Sequence, residues 1–290
     1  MKGFSESISM EGKTCLISGG SSGVGKAIAR GVASLGAGTI IIGKNRERGE
    51  AAIAEIKSET GNPQIEFVAA DLSSVASTQK ASDEILNRHK ALHLLANIAG
   101  IISLRRDETP EGLERILATN YIGHFALTNR LLPLLKASKP SRIITVAGTA
   151  ALLAIQKLNF DDPMGKARFN PIFAILRSAL AKVMFTFELS RRLEGSGVTA
   201  NTFDPGLVRS DLISGLPLPL RIPLSLGPLF FPRQCKTGMY LATSPDVEGS
   251  TGGYFAGSKR IRFKNRFHDR TDEKRLWEMS EEIVSKADQE

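Results

Sequence analysis

Cysteine, histidine and aromatic side chains are scarce in this chain of 290 residues. Its two cysteines, Cys15 and Cys235, lie far apart with no paired-cysteine spacing. That excludes a disulfide framework and a zinc knuckle and points to a reducing compartment, the cytoplasm. Of the four histidines, only His89 and His93 share helical spacing. They straddle the end of an expected helix and the start of an expected strand, so ordinary surface histidines are expected there and no metal site. Aromatic residues make up 6% of the chain, and its 38 Lys and Arg residues are scattered among 30 Asp and Glu. The formal charge of +8 therefore reads as a solvated basic surface with a local site for an anionic cofactor, not as a nucleic-acid interface. Residues 1–13 hold Glu6 and Glu11 and no apolar core of signal-peptide length, so export is not expected. A long apolar run is also missing. The most apolar stretch, 212–231, is broken by Pro217, Pro219, Pro223 and Pro228 and holds Arg221, which excludes a transmembrane segment.

Short β-branched runs are present, and they alternate with amphipathic segments. The expected strands are Thr14–Ser18, Thr39–Ile42, Ile65–Val68, Leu92–Ala96, Arg142–Val146 and Val198–Phe203. Near-continuous apolar strands separated by helices predict an α/β fold, a single Rossmann-like doubly wound parallel sheet with helices on both faces. No linker or composition shift divides the chain, so one domain is expected over 1–290. Its ligand crevice should lie beyond the carboxyl ends of the strands.

After the first strand comes Ser18-Gly19-Gly20-Ser21-Ser22-Gly23-Val24-Gly25-Lys26, leading into a helix expected from about Val24. Glycines at that place let backbone N–H groups and a helix N-terminus approach a pyrophosphate. A dinucleotide site is expected at Gly19, Ser21, Ser22, Gly23, Val24 and Gly25. The second strand ends at Gly43, and Lys44-Asn45-Arg46 follows where an NAD-specific protein usually places a carboxylate. Two cations and no acid favour a 2′-phosphate, hence NADP(H). Asp71, after the third strand, either bonds an adenine edge or caps the next helix.

The glycine turn, Asp71-Leu72-Ser73, Asn97-Ile98-Ala99-Gly100, Thr119-Asn120-Tyr121-Ile122-Gly123-His124-Phe125 and Asp204-Pro205-Gly206-Leu207-Val208-Arg209-Ser210 resemble the short-chain dehydrogenase/reductase family. Phe185-Thr186-Phe187-Glu188-Leu189-Ser190-Arg191-Arg192-Leu193-Glu194-Gly195 and Pro245-Asp246-Val247-Glu248-Gly249 resemble its retinol-dehydrogenase-like branch. The similarity runs from about Gly12 to about Ser280. It implies further cofactor contacts from Leu72, Asn97, Ala99, Gly100, Pro205, Gly206, Val208 and Ser210. Pro205 and Gly206 would border the nicotinamide, and Ser210 would stand where the family has a threonine on its carboxamide. Dimers or tetramers are a further implication, as is a substrate lid at 212–232.

The same resemblance implies a serine after the fifth strand, a Tyr-x-x-x-Lys on the following helix and an asparagine on the helix before. The serine holds the substrate oxygen, the tyrosine exchanges a proton with it, and the lysine stabilises the phenolate. Only the asparagine is present, as Asn120. Counting back from Phe185-Thr186 puts Ile175 at the tyrosine position and Ala179 at the lysine position, and Gly148 falls at the serine position. The three tyrosines, Tyr121, Tyr240 and Tyr254, lie outside the helix expected over 172–194. Thr149 is a candidate for orienting an oxygen. Lys182, about 10 Å along the axis from Ile175, reads as a poor replacement for the lost lysine. Asp161, Asp162, Lys166 and Arg168 read as solvated loop charges.

With Gly148, Ile175, Ala179 and Leu212 as its lining, the pocket is expected to be apolar and to take a hydrophobic small molecule. The leading expectation is a redox-neutral cyclisation or isomerisation beside a structural NADP(H), because holding a flexible substrate in shape needs few acid-base groups. The alternatives are NADPH-dependent reduction of an activated alkene, imine or carbonyl without a tyrosine, and a non-catalytic NADP(H)-binding protein.

Overall fold

The computed structural model describes residues 8–206 and 234–287. Its strands are β1 (Thr14–Ser18), β2 (Gly38–Gly43), β3 (Ile65–Ala69), β4 (Leu94–Asn97), β5 (Ser141–Val146), β6 (Val198–Phe203), β7 (Tyr254–Ala256) and β8 (Lys259–Ile261). The helices are α1 (Gly23–Ser34), α2 (Arg46–Thr60), α3 (Val75–Arg88), α4 (Arg115–Leu117), α5 (Gly123–Ala137), α6 (Ala150–Leu153), α7 (Pro171–Arg192), α8 (Lys236–Thr243) and α9 (Arg270–Ala287). A π turn, Ala118–Ile122, joins α4 to α5.

The strands form one sheet in the order β3-β2-β1-β4-β5-β6-β7-β8. Strands β1 to β7 are parallel, and β8 returns antiparallel to β7. The sheet is the expected doubly wound parallel sheet, with one antiparallel strand added at its edge. Strands β7 and β8 have three residues each, too short for a periodic pattern to reveal them. Their hairpin turns at Gly257 and Ser258, both with positive φ (55° and 61°), the conformation that joins twisted antiparallel strands tightly.

Alternation along each strand feeds two cores. Leu16, Leu95, Ile143 and Ala200 point to one face, where Phe125 of α5, Phe185 of α7 and Trp277 of α9 cover them. Cys15, Ile17, Ile144 and Phe203 point to the other, under Ile28 and Val32 of α1 and Leu241 of α8. Burial on both faces explains why these strands read as continuous apolar runs.

The strand order reverses between β1 and β4, and there the chain leaves room for a ligand. A Cβ added to Gly19 would sit 2.8 Å from the Ala99 Cα, so the segments after β1 and β4 meet with no side chain between them. Among the described residues no helix is long and apolar enough to cross a membrane. No group of His, Cys, Asp and Glu among them is arranged to hold a metal ion. His89 approaches Glu66 at 2.5 Å, and His93 Nδ1 accepts the Thr14 N–H. Val208, Ser210, Leu212 and the expected lid 212–232 lie outside the described residues.

Candidate functional site

A cleft of about 620 Å³ follows the carboxyl ends of β1 to β6. At one end lies the glycine turn. Ser22 caps α1 with no side-chain hydrogen bond, and the first turn holds no acid. The leading N–H groups of α1 therefore keep their capacity for an anion. A Cβ on Gly25 would stand 2.3 Å from the Gly19 carbonyl oxygen, so that residue type closes the turn. Gly19, Ser21, Ser22, Gly23, Val24 and Gly25 all border the cleft.

After β2, Lys44 and Asn45 border it as well. Asn45 caps α2 by accepting the Arg48 N–H at 2.8 Å. It is Arg48 that reaches the cleft, while Arg46 lies off it, exposed and 3.6 Å from Glu50. The first residue of a capped helix projects outward here, and the third faces the sheet end.

Lys44 Nζ pairs with Asp71 at 2.7 Å. Asp71 also accepts the Ser73 N–H and hydroxyl at 3.0 and 2.7 Å. Burial opposes its charge, but these donors outweigh it and hold the carboxyl below the usual carboxylate range. Ser74 caps α3, which removes the capping alternative for Asp71. Leu72, Ala99, Gly100, Pro205 and Gly206 line the cleft further on. Asn97 does not. It is fully buried, and its amide donates to Thr128 at 2.9 Å.

At the far end the π turn brings in Asn120. Its Oδ1 accepts the Ile101 N–H at 2.8 Å, and its Nδ2 donates to the Ile101 carbonyl and the Ser178 hydroxyl. Helix α7 forms the wall with Ile175, Ser178, Ala179 and Lys182, the i, i+3, i+4, i+7 set of one helix face. Gly148 and Thr149, expected in the pocket, lie off it. The chain bends away into α6 after Ala147, which lines the cleft in their place. The Gly148 carbonyl accepts the Tyr254 hydroxyl, and Thr149 is exposed. Asp161, Asp162, Lys166 and Arg168 also lie off the cleft, and Asp162 accepts the Lys166 and Ala167 N–H groups.

Lys182, read from the sequence as a poor replacement for the lost lysine, borders the cleft. It is 5% exposed, and burial pulls its ammonium down to about 8. Beside it, His124 Nδ1 donates to the Asn120 carbonyl, so its Nε2 accepts from Ser18. Burial and the Lys182 charge pull this imidazole down to about 3, which keeps it neutral.

A short chain dehydrogenase family profile matches residues 13–159, from β1 through the π turn and past β5. Retinol dehydrogenase 14 of Mus musculus is 37% identical over 295 residues, covering 95% of this chain and 86% of that protein. The chain belongs to the short chain dehydrogenase family. Polyprenol dehydrogenase of Homo sapiens is 34% identical over 286 residues, covering 95% of this chain and 86% of its own. Among solved structures, an uncharacterized protein from Mycobacterium paratuberculosis superposes with a TM-score of 0.76 at 28% identity, covering 96% and 95% of the two chains. A short chain dehydrogenase from Shigella flexneri, solved with NADP, shares the fold at a TM-score of 0.68 and 20% identity, covering 88% and 100%.

In this family member the sequence reading missed Arg48, Ser178 and Lys182 as cleft residues. For Lys182 the signal was available, because a seven-residue interval returns to the face of Ile175. For Arg48 it was the Asn45 cap.

Proposed function

We propose that this family member is an NADP(H)-dependent oxidoreductase acting on a hydrophobic alcohol or carbonyl compound without a tyrosine acid. One observation carries the reading: a single cleft joins an anion-ready helix N-terminus to an apolar end that contains a buried lysine. The α1 N–H groups would hold the pyrophosphate, Lys44 and Arg48 the 2′-phosphate, and Pro205 and Gly206 the nicotinamide side. The glycine cradle, which a Cβ would fill, fits that cofactor. When bound, the nicotinamide supplies hydride chemistry.

By the family resemblance, Gly148, Ile175 and Ala179 occupy the places of the serine, tyrosine and lysine. The substrate end is accordingly walled by Ile101, Ile102, Ile175 and Ala179. A hydrophobic substrate agrees with the names of the retinol and polyprenol dehydrogenases that the chain resembles. The apolar pair Ile175 and Ala179 also favours a second reading, a redox-neutral isomerisation or cyclisation. A titratable amine in the same cleft speaks for proton exchange, and so for hydride transfer.

Calorimetric titration with NADPH and NADH, followed by turnover with deuterium-labelled NADPH, tests this. Tight NADPH binding, weak NADH binding and deuterium in the product are expected. Product formed without deuterium would select the redox-neutral reading, and absence of binding by either nucleotide would overturn both.

A further inference from the structure

We infer that Lys182 exchanges the proton with the substrate oxygen, working from one turn deeper in α7 than Ala179. This rests on the oxidoreductase reading above. Lys182 lies about 4.5 Å along the helix axis from Ala179. Side chains of a helix lean toward its N-terminus and cover the preceding turn, and Ile175, Ser178 and Ala179 of the preceding turns line the cleft with Lys182. A four-carbon stem at position 182 is long enough to reach back toward the place where Ala179 offers only a methyl group. Axial separation of the backbone positions exaggerates the distance between the working groups.

No described residue supplies a counter-charge for this ammonium. The Lys182 side chain makes no ion pair or hydrogen bond among the described residues, although the residue is 5% exposed; its carbonyl accepts the Thr186 hydroxyl at 2.7 Å. Beneath α5 and α7, the strand register sets Ser18, Asn97, Thr145 and Thr202 side by side across β1, β4, β5 and β6. All four are buried, and they lie on the face of Leu16, Leu95, Ile143 and Ala200, each two residues earlier. Asn97 Oδ1 and Thr145 Oγ1 have no hydrogen-bond partner among the described residues. The polar layer is thus incomplete beneath the helix that carries the lysine.

The titratable groups on elements around α7 are engaged or neutral. His124 is neutral, and Arg115 donates to the Glu108 carbonyl. The Glu114 carboxylate accepts the Ile116 and Leu117 N–H groups, and Glu273 pairs with Arg191. Tyr254 packs with Ala179 and Val183, but its hydroxyl donates to the Gly148 carbonyl and does not border the cleft. An ammonium largely withdrawn from water and with no opposite charge beside it among the described residues gives up its proton readily, as its value of about 8 reflects. In reduction, the carbonyl carbon gains a hydride while its oxygen takes a proton from Nζ. The neutral amine left behind is reprotonated from water. In oxidation, the neutral amine takes the hydroxyl proton.

The test compares the wild type with Lys182→Met, Lys182→Arg and Tyr254→Phe, using NADPH, the isoprenoid aldehyde farnesal and its alcohol farnesol. In protein labelled with 13C at lysine Cε and saturated with NADP+, the signal absent from Lys182→Met should titrate near pH 8 and move when farnesol is added. Farnesal reduction by the wild type should fall as pH rises through about 8. It should drop on the order of 10²- to 10⁴-fold in Lys182→Met and Lys182→Arg, with NADPH affinity retained and Tyr254→Phe unaffected. A Lys182 signal that stays protonated beyond pH 10 and ignores farnesol overturns the proposal, as does wild-type turnover in Lys182→Met. Failure of the wild type to bind NADPH overturns the oxidoreductase reading itself.

Discussion

The two ends of the cleft solve opposite problems. At the glycine-turn end the cleft is lined by backbone and by polar side chains most of which are already engaged: Lys44 meets Asp71, and Asn45 caps α2. At the α7 end the largely buried Lys182 has no counter-ion among the described residues and stands over a sheet row in which two polar atoms lack partners among them. The first arrangement holds a ligand at little cost to the fold. The second costs stability, because a charge out of water and unpaired polar groups are both unfavourable. Local stability is commonly sacrificed where a titratable group must be kept reactive.

That contrast has measurable consequences. The largest concerns Lys182→Met, expected to raise stability at pH 7 by roughly 3 kcal/mol. The figure follows from an ammonium lowered from 10.5 to about 8, at about 1.4 kcal/mol per unit. The sign is fixed by linkage. The folded-state value lies below the unfolded one, so the unfolded chain takes up the proton first as pH falls. The penalty develops between about pH 10.5 and 8 and is complete below that, so the gap between variant and wild type should close as pH rises toward 10.5. Urea denaturation across that range checks it, and equal stabilities at pH 7 would erase the contrast.

At the other end, Gly25→Ala should destabilise by about 1 to 3 kcal/mol and abolish NADPH binding, because its Cβ meets the Gly19 carbonyl oxygen at 2.3 Å. Calorimetry together with thermal unfolding would separate the two effects. The smallest expected change is about tenfold in NADPH affinity for Arg48→Ala, with NADH affinity and fold stability unchanged. Arg46→Ala should alter neither, and a loss there equal to that of Arg48→Ala would contradict the placement of the two arginines.

The six longer strands were legible because each is a continuous β-branched run, and the glycine turn because its residue types announce a tight strand-to-helix passage. The hairpin of β7 and β8 was not, since three-residue strands carry no measurable period. Within the cleft, Asn120 and the apolar pair Ile175 and Ala179 were placed from sequence spacing. Gly148, Thr149, Asn97 and Arg46 were assigned to a surface that they do not reach.

The sequence by itself determined the alternation of strand and helix, the glycine-rich turn, the cations after β2 and the absence of a tyrosine from α7. Those properties depend on residue type and short spacing. Only the tertiary structure decided that Arg48 and not Arg46 faces the cleft, that Asp71 belongs to Lys44, and that the Lys182 side chain is buried with no partner among the described residues. Each of those depends on which groups several separate strands and helices bring together, and burial and pairing are properties of that assembly, not of any one segment.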